Sequence, residues 1–140
     1  LESHLLEQAD SPARATILVI DDEEAVRGLF RAILEPIGYS IMEAANGRDG
    51  IRRFHESPTD VVITDLSMPA GEGVEVIRAL RSDRPSVKIL AVSGSKAEDE
   101  QLSEAQRFGA DALLIKPLGV GELREAVARL LAGNSKTLWH

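Results

Sequence analysis

The chain has 140 residues, 44% of them apolar, and a formal net charge of −7, which suits one domain with a single respectable core. With no cysteine it can hold neither disulfides nor thiolate metal sites, and its acidic balance argues against direct nucleic-acid binding, which needs clustered Lys and Arg. The apolar runs fall far short of a membrane span and the N-terminal stretch lacks the pattern of a secretory signal, so a cytoplasmic protein without membrane contact is expected.

The chain opens on Leu1 rather than Met, as expected of a piece of something longer. Residues 1–14 read as a tail, because Leu5 and Leu6 are followed by Ser11 and Pro12 and a frayed or disordered end is the default. Residues 15–133 read as one folded unit in which strand alternates with helix five times. Short Val- and Ile-rich runs predict strands at 17–21, 40–44, 61–64, 88–93 and 112–115, separated by amphipathic stretches. The first helix carries Val26, Leu29, Phe30, Ile33, Leu34 and Ile37 at helical spacing and stops around Pro36 and Gly38. Further helices are expected over 47–55, 73–81 and 120–131, the last with Leu123, Val127, Leu130 and Leu131 inward. In the segment 96–108 only Ala97, Leu102, Ala105 and Phe108 suit a core, so this helix should be the most easily displaced. Residues 134–140, with Trp139, form a second tail, and His4, His55 and His140 are scattered without ligand spacing.

That rhythm predicts an α/β protein with a parallel sheet covered by helices on both faces. In such sheets ligands bind outside the C-terminal ends of the strands. The polar residues that close the strands therefore share one edge: Asp21 and Asp22 in "ILVIDDEE", Asp65 in "VVITDLSMP", Ser93 in "ILAVSGS" and Lys116 in "LLIKP". Each alone has an ordinary explanation, since acids cap helices, serines start turns and lysines are solvated. Together they ask for more. Carboxylates 4 Å apart repel by about 1 kcal/mol in water and about 4 at an effective dielectric near 20. Oxygen ligands from two strand ends suit Mg²⁺, which takes one or two carboxylates, keeps several waters and accepts a phosphate oxygen.

In this order, "DDEE", "TDLSMP" with Gly73 four residues beyond Pro69, "SGS" and "GADALLIKP" resemble the receiver domains of two-component response regulators, over residues 16–132. The resemblance implies a flavodoxin-like (βα)5 three-layer sandwich with a five-stranded parallel sheet in the order 2-1-3-4-5. It implies that Asp65 accepts a phosphoryl group, that Asp22 and Asp65 ligate Mg²⁺ directly and Asp21 through water, and that the backbone carbonyl of Ser67 completes the protein's share. Ser93 would reach a phosphoryl oxygen as the switch hydroxyl, Lys116 would pair with that oxygen, and the Lys116–Pro117 bond would be cis. The implied activity is a phosphorylation switch rather than an enzyme beyond its own phosphorylation and dephosphorylation. Its implied partners are a sensor histidine kinase or histidine phosphotransfer protein, and a second copy through helix 4, strand 5 and helix 5.

Two positions depart from the family pattern: Leu113 stands where Tyr or Phe is usual, and Gly94 follows the switch hydroxyl where Ala is usual. Leu113 removes a ring that could turn inward, and keeps open a degenerate receiver that binds partners without phosphorylation, or a phosphate sink. A haloacid-dehalogenase-type phosphatase would need a second Asp where Ser67 stands. A nucleotide site would need a complete Gly-rich motif, which "GEGVEV" and "GVGELR" do not supply.

Overall fold

The computed structural model describes residues 15–94 and 99–133. Five apolar runs form strands β1 (Thr16–Ile20), β2 (Ser40–Ala44), β3 (Val61–Asp65), β4 (Lys88–Ser93) and β5 (Ala112–Ile115). All pair in parallel in the order β2-β1-β3-β4-β5. Successive side chains leave opposite faces of a strand, so β1, β3 and β4 are apolar on both. Ile17, Val19, Val61, Ile63, Leu90 and Val92 face one core; Leu18, Ile20, Val62, Ile89 and Ala91 face the other.

The helices are α1 (Glu24–Leu34), α2 (Gly47–Glu56), α3 (Glu72–Asp83), α4 (Asp99–Arg107) and α5 (Val120–Leu131). The first core takes Phe30, Ile33 and Leu34 from α1 and Leu123, Val127 and Leu130 from α5. The second takes Phe54 from α2, Val76, Ile77 and Leu80 from α3, and Ala105 from α4. The result is the doubly wound, flavodoxin-like sandwich with the expected strand order. Among the described residues no helix is long and apolar enough to cross a membrane.

Two expectations need correction. Leu29 and Ile37, counted in the helical apolar spacing of the first helix, are 52% and 39% exposed. Leu29 lies at the edge of the apolar stripe of α1, beyond the reach of the sheet. Ile37 falls in a 3-10 turn (Glu35–Ile37) closed by Gly38 at φ 105°, and the tighter winding rotates it outward. Strand ends move by one residue, because Asp65 pairs in register with Val92 while Asp21 lies just past β1. In α4, Ala105 is buried and Leu102 half-buried against the second core, a thin anchorage. The tails at 1–14 and 134–140, with His4, Trp139 and His140, and Lys96 and Ala97 lie outside the described residues.

Candidate functional site

Asp65 closes β3 as its last residue and is 4% exposed. Its Oδ1 accepts the Ser67 N–H at 2.9 Å, and the next residue stays in the sheet through Leu66 N–H to the Val92 carbonyl at 2.8 Å. Behind it sits Gly73. A Cβ there would lie 2.2 Å from the Asp65 carbonyl oxygen, so only glycine lets the first turn of α3 rest on this strand end.

Asp21, 1% exposed, leaves β1 beside it. Its N–H donates to the Ala44 carbonyl at 3.1 Å, and its Oδ1 accepts the Glu23 N–H at 2.9 Å. Glu23 occupies the N-cap position of α1 without a side-chain cap bond, so capping by that residue does not account for the acids. Asp22 is exposed. Carboxylate oxygens of Asp21, Asp22 and Asp65 all lie within 4.8 Å of one another.

Lys116 brings the compensating charge. Its N–H donates to the Ser93 carbonyl at 2.8 Å, which carries the β4–β5 pairing one residue further, and the Lys116–Pro117 peptide that follows is cis. Lys116 Nζ stands 3.4 Å from Asp21 Oδ2 and 3.8 Å from Asp65 Oδ2. One ammonium faces two of the three clustered carboxylates. Burial pushes the Asp21 carboxyl above its usual value and the Asp65 charge adds to this, against the lowering pull of the Glu23 N–H and Lys116.

Ser93 is 1% exposed, and its hydroxyl donates to the Gly94 carbonyl at 3.0 Å rather than toward the acids. Gly94 N–H in turn donates to Ser67 Oγ at 3.2 Å, linking the loop after β4 to the loop after β3. Leu113 is buried in the second core, opposite Ala91. The chain thus gathers Asp21, Asp22, Asp65, Ser67, Ser93 and Lys116 at one end of the sheet, with Leu113 below it.

Sequence reasoning missed Arg27 and Glu43. Arg27 Nη1 donates to the Asp21 carbonyl at 2.8 Å and Nε to Glu43 Oε1 at 3.0 Å, contacts that carry no local motif. It also missed an apolar groove of ≈ 490 Å³ lined by Val26, Leu29, Phe30, Gly94, Lys116, Pro117 and Leu118. The exposure of Leu29 is what opens it.

Comparison with known proteins agrees with this geometry. The family model described as "Response regulator receiver domain" matches residues 17–128. The chain is 34% identical over 121 residues to the KDP operon transcriptional regulatory protein KdpE of Escherichia coli (strain K12), covering 86% of this chain and 53% of that protein. It is 36% identical over 129 residues to the transcriptional regulatory protein ResD of Bacillus subtilis (strain 168), covering 91% and 52%. The chain therefore spans about half the length of these relatives. The crystal structure of a CheY-like response regulator receiver domain protein from Methanospirillum hungatei JF-1 superposes with a TM-score of 0.81 at 28% identity, covering 88% of this chain and 98% of that one. Sheet order, clustered acids and sequence similarity agree, and the chain belongs to the response regulator receiver domain family, the signalling switches of two-component systems.

Proposed function

We propose that this chain is a phosphoacceptor switch in which Asp65 takes a phosphoryl group from a phosphohistidine on a sensor kinase or phosphotransfer protein. The observation that carries the reading is the buried Asp65 carboxylate, 3.8 Å from Lys116 Nζ, with oxygens of Asp21 and Asp22 in the same cluster. The donor set fits Mg²⁺: it is all oxygen and more acidic than Lys116 alone can balance. Asp21, Asp22, Asp65 and the Ser67 carbonyl would hold the ion, which when bound would offset both the acids' repulsion and the charge of the phosphoryl oxygens.

The chain's own residues supply the rest. A carboxylate oxygen of Asp65 attacks phosphorus, the phosphorus–nitrogen bond to the donor imidazole breaks, and the electron pair leaves with that ring nitrogen. Lys116 pairs with a phosphoryl oxygen. Ser93 gives up the Gly94 carbonyl and turns its hydroxyl to the phosphoryl oxygens. The apolar groove shares Lys116 and Gly94 with the acid site, which supports docking of the donor protein there. Movement of the loop after β4 would shift α4 against β5 and α5, and that face would control an output or pair with a second copy. With Leu113 in place of an aromatic residue, the relay is repacking rather than ring rotation.

Incubation with acetyl phosphate and intact-mass measurement tests the reading. The wild-type chain should gain one phosphoryl group only with Mg²⁺ present, Asp65→Asn should gain none, and Lys116→Ala should keep metal binding while losing most of the labelling. Equal labelling of Asp65→Asn would refute the assignment.

A further inference from the structure

Arg27 is the one guanidinium that reaches the backbone of the acid site among the described residues. It donates from Nη1 to the Asp21 carbonyl at 2.8 Å and from Nε to Glu43 Oε1 at 3.0 Å, with its side chain only 15% exposed. Glu43, on β2, is itself held by Arg31, whose Nε donates to Oε2 at 2.9 Å and whose Nη2 makes a second, shorter contact. These bonds, from Arg31 first and then Arg27, hold the Glu43 carboxyl below its usual value despite its burial. The far side of the Arg27 guanidinium is therefore fixed on an anion that belongs to the sheet. The near side grips the peptide group joining Asp21 to Asp22.

That peptide group matters because its plane sets the directions in which the two side chains leave the backbone. The Asp21 N–H is already tied to Ala44 and its carboxylate to Glu23. The carbonyl is the remaining handle on the turn. We infer that Arg27 is a positioning residue for the acid site, a strut from Glu43 that holds the Asp21–Asp22 peptide so that both carboxylates can serve one divalent cation. The inference rests on the Mg²⁺ reading above.

The sign of the effect separates positioning from charge. A guanidinium near an acid cluster repels a second cation, so if Arg27 acted by charge alone, removing it would tighten Mg²⁺ binding. Positioning predicts the reverse. Groups that orient metal ligands without touching the metal change its affinity by about 10- to 100-fold when lost. Lysine is a poor substitute, since a single ammonium lacks the fork that holds a carbonyl and a carboxylate together.

Calorimetric titration with MgCl₂ at neutral pH and fixed ionic strength tests this, with the thermal midpoint of each metal-free variant measured alongside. Arg27→Ala should bind Mg²⁺ about tenfold more weakly and Arg27→Lys several-fold more weakly. Glu43→Ala should weaken binding too, with little added loss in the double variant, and Glu43→Gln should recover part of it by restoring an acceptor for Nε. A lowered thermal midpoint with unchanged or tighter Mg²⁺ binding in Arg27→Ala would reduce Arg27 to a structural link between α1 and β2 and overturn the inference. Should Arg27→Ala not fold, Arg27→Lys decides by the same criterion. A wild-type chain that binds no Mg²⁺, or binds it equally well as Asp65→Asn and Asp22→Asn, would refute the metal reading itself and the inference with it.

Discussion

At Gly73 a single absent methyl group sets how closely α3 approaches the candidate phosphoacceptor. The missing Cβ would meet the Asp65 carbonyl oxygen at 2.2 Å and Leu66 Cα at 2.9 Å, so Gly73→Ala must push backbone against backbone. A cost of about 1–3 kcal/mol is expected by denaturant unfolding, with slower phosphorylation because the displaced atoms are those of Asp65. Gly28 is the contrast: it lies within α1 with nothing within 4 Å of its missing Cβ. Gly28→Ala should stabilise by about 0.5–1 kcal/mol. Thr64 offers a third case, its hydroxyl buried without a hydrogen-bond partner, between Ile20 and Ala91 across the sheet. Thr64→Val keeps the branched shape and removes that unsatisfied group, so the urea midpoint should hold or rise by the equivalent of about 1 kcal/mol.

Asp21 links residue chemistry to pH. Its folded-state pKa is raised above 3.8, first by burial, so between 3.8 and that raised value the native state binds more protons than the unfolded chain. Stability of the metal-free protein from this group therefore falls as pH rises through the window and stays reduced at neutral pH. Asp21→Asn should raise the metal-free thermal midpoint at neutral pH by a few degrees, with the gain shrinking as pH falls toward 3.8. A scan of thermal midpoint against pH in chelator checks this, and an unchanged or lower midpoint at neutral pH would contradict it. The same variant should weaken Mg²⁺ binding if Asp21 serves the ion as proposed, since the carboxylate whose burial is costly is also a member of the acid cluster.

At the scale of elements, Arg81 fastens the end of the sheet opposite the acids. From α3 it donates to the Gly109 carbonyl at 3.1 and 2.7 Å, to those of Pro85 and Val87 at 2.6 and 2.7 Å, and to the Asp111 carboxylate at 2.6 Å. Asp111 also accepts the Ile89 N–H at 2.7 Å. The turns entering β4 and β5 are thus tied to one helix, so α4 is held at its C-terminal end while its core face stays thin. Arg81→Met should cost about 3 kcal/mol, much of it from removing the counter-charge of the half-buried Asp111, which keeps only the Ile89 N–H, yet leave Mg²⁺ affinity at the other end of the strands unchanged.

These elements also show what a sequence discloses. The bounds of β4, β5 and α5 were legible because each is a continuous apolar run or a clean helical stripe between turn residues, and those of β2 because Ile41, Met42 and Ala44 lie between Gly38 and the Asn46–Gly47 start of α2. The carboxylates, Ser93 and Lys116 were legible as a cluster because parallel topology sends every strand end to one edge. Leu29 was not, because spacing defines a stripe but not how much of it the sheet covers. Arg27 and Arg81 were not, because their acceptors are mainly backbone carbonyls and acids brought close only by the fold. Those two arginines turn out to brace the two ends of the sheet.

For the whole molecule, two cores share one sheet, and the candidate site lies where both end. Turning the Ser93 hydroxyl off the Gly94 carbonyl, next to the Gly94 N–H bond to Ser67, would disturb the end of β4 and shift α4 on β5, as the proposed switch requires. Moving such an equilibrium from 1:99 to 99:1 needs about 5.5 kcal/mol, a scale that charge-assisted bonds from Lys116 and Ser93 can reach together with the ion. Beryllofluoride with Mg²⁺ should therefore alter hydrogen exchange in α4 and β5 as well as at the acids. Changes confined to the surroundings of Asp21, Asp22 and Asp65 would favour a phosphate sink.

The claim on which all of this depends is that Asp65 carries the phosphoryl group. After incubation with acetyl phosphate and Mg²⁺, borohydride reduction converts an aspartyl phosphate to homoserine, which peptide mass spectrometry locates. The account predicts homoserine at position 65, absent when Mg²⁺ is chelated. Reduction at another aspartate, or an unmodified Asp65 in a chain that has gained phosphate, would contradict it.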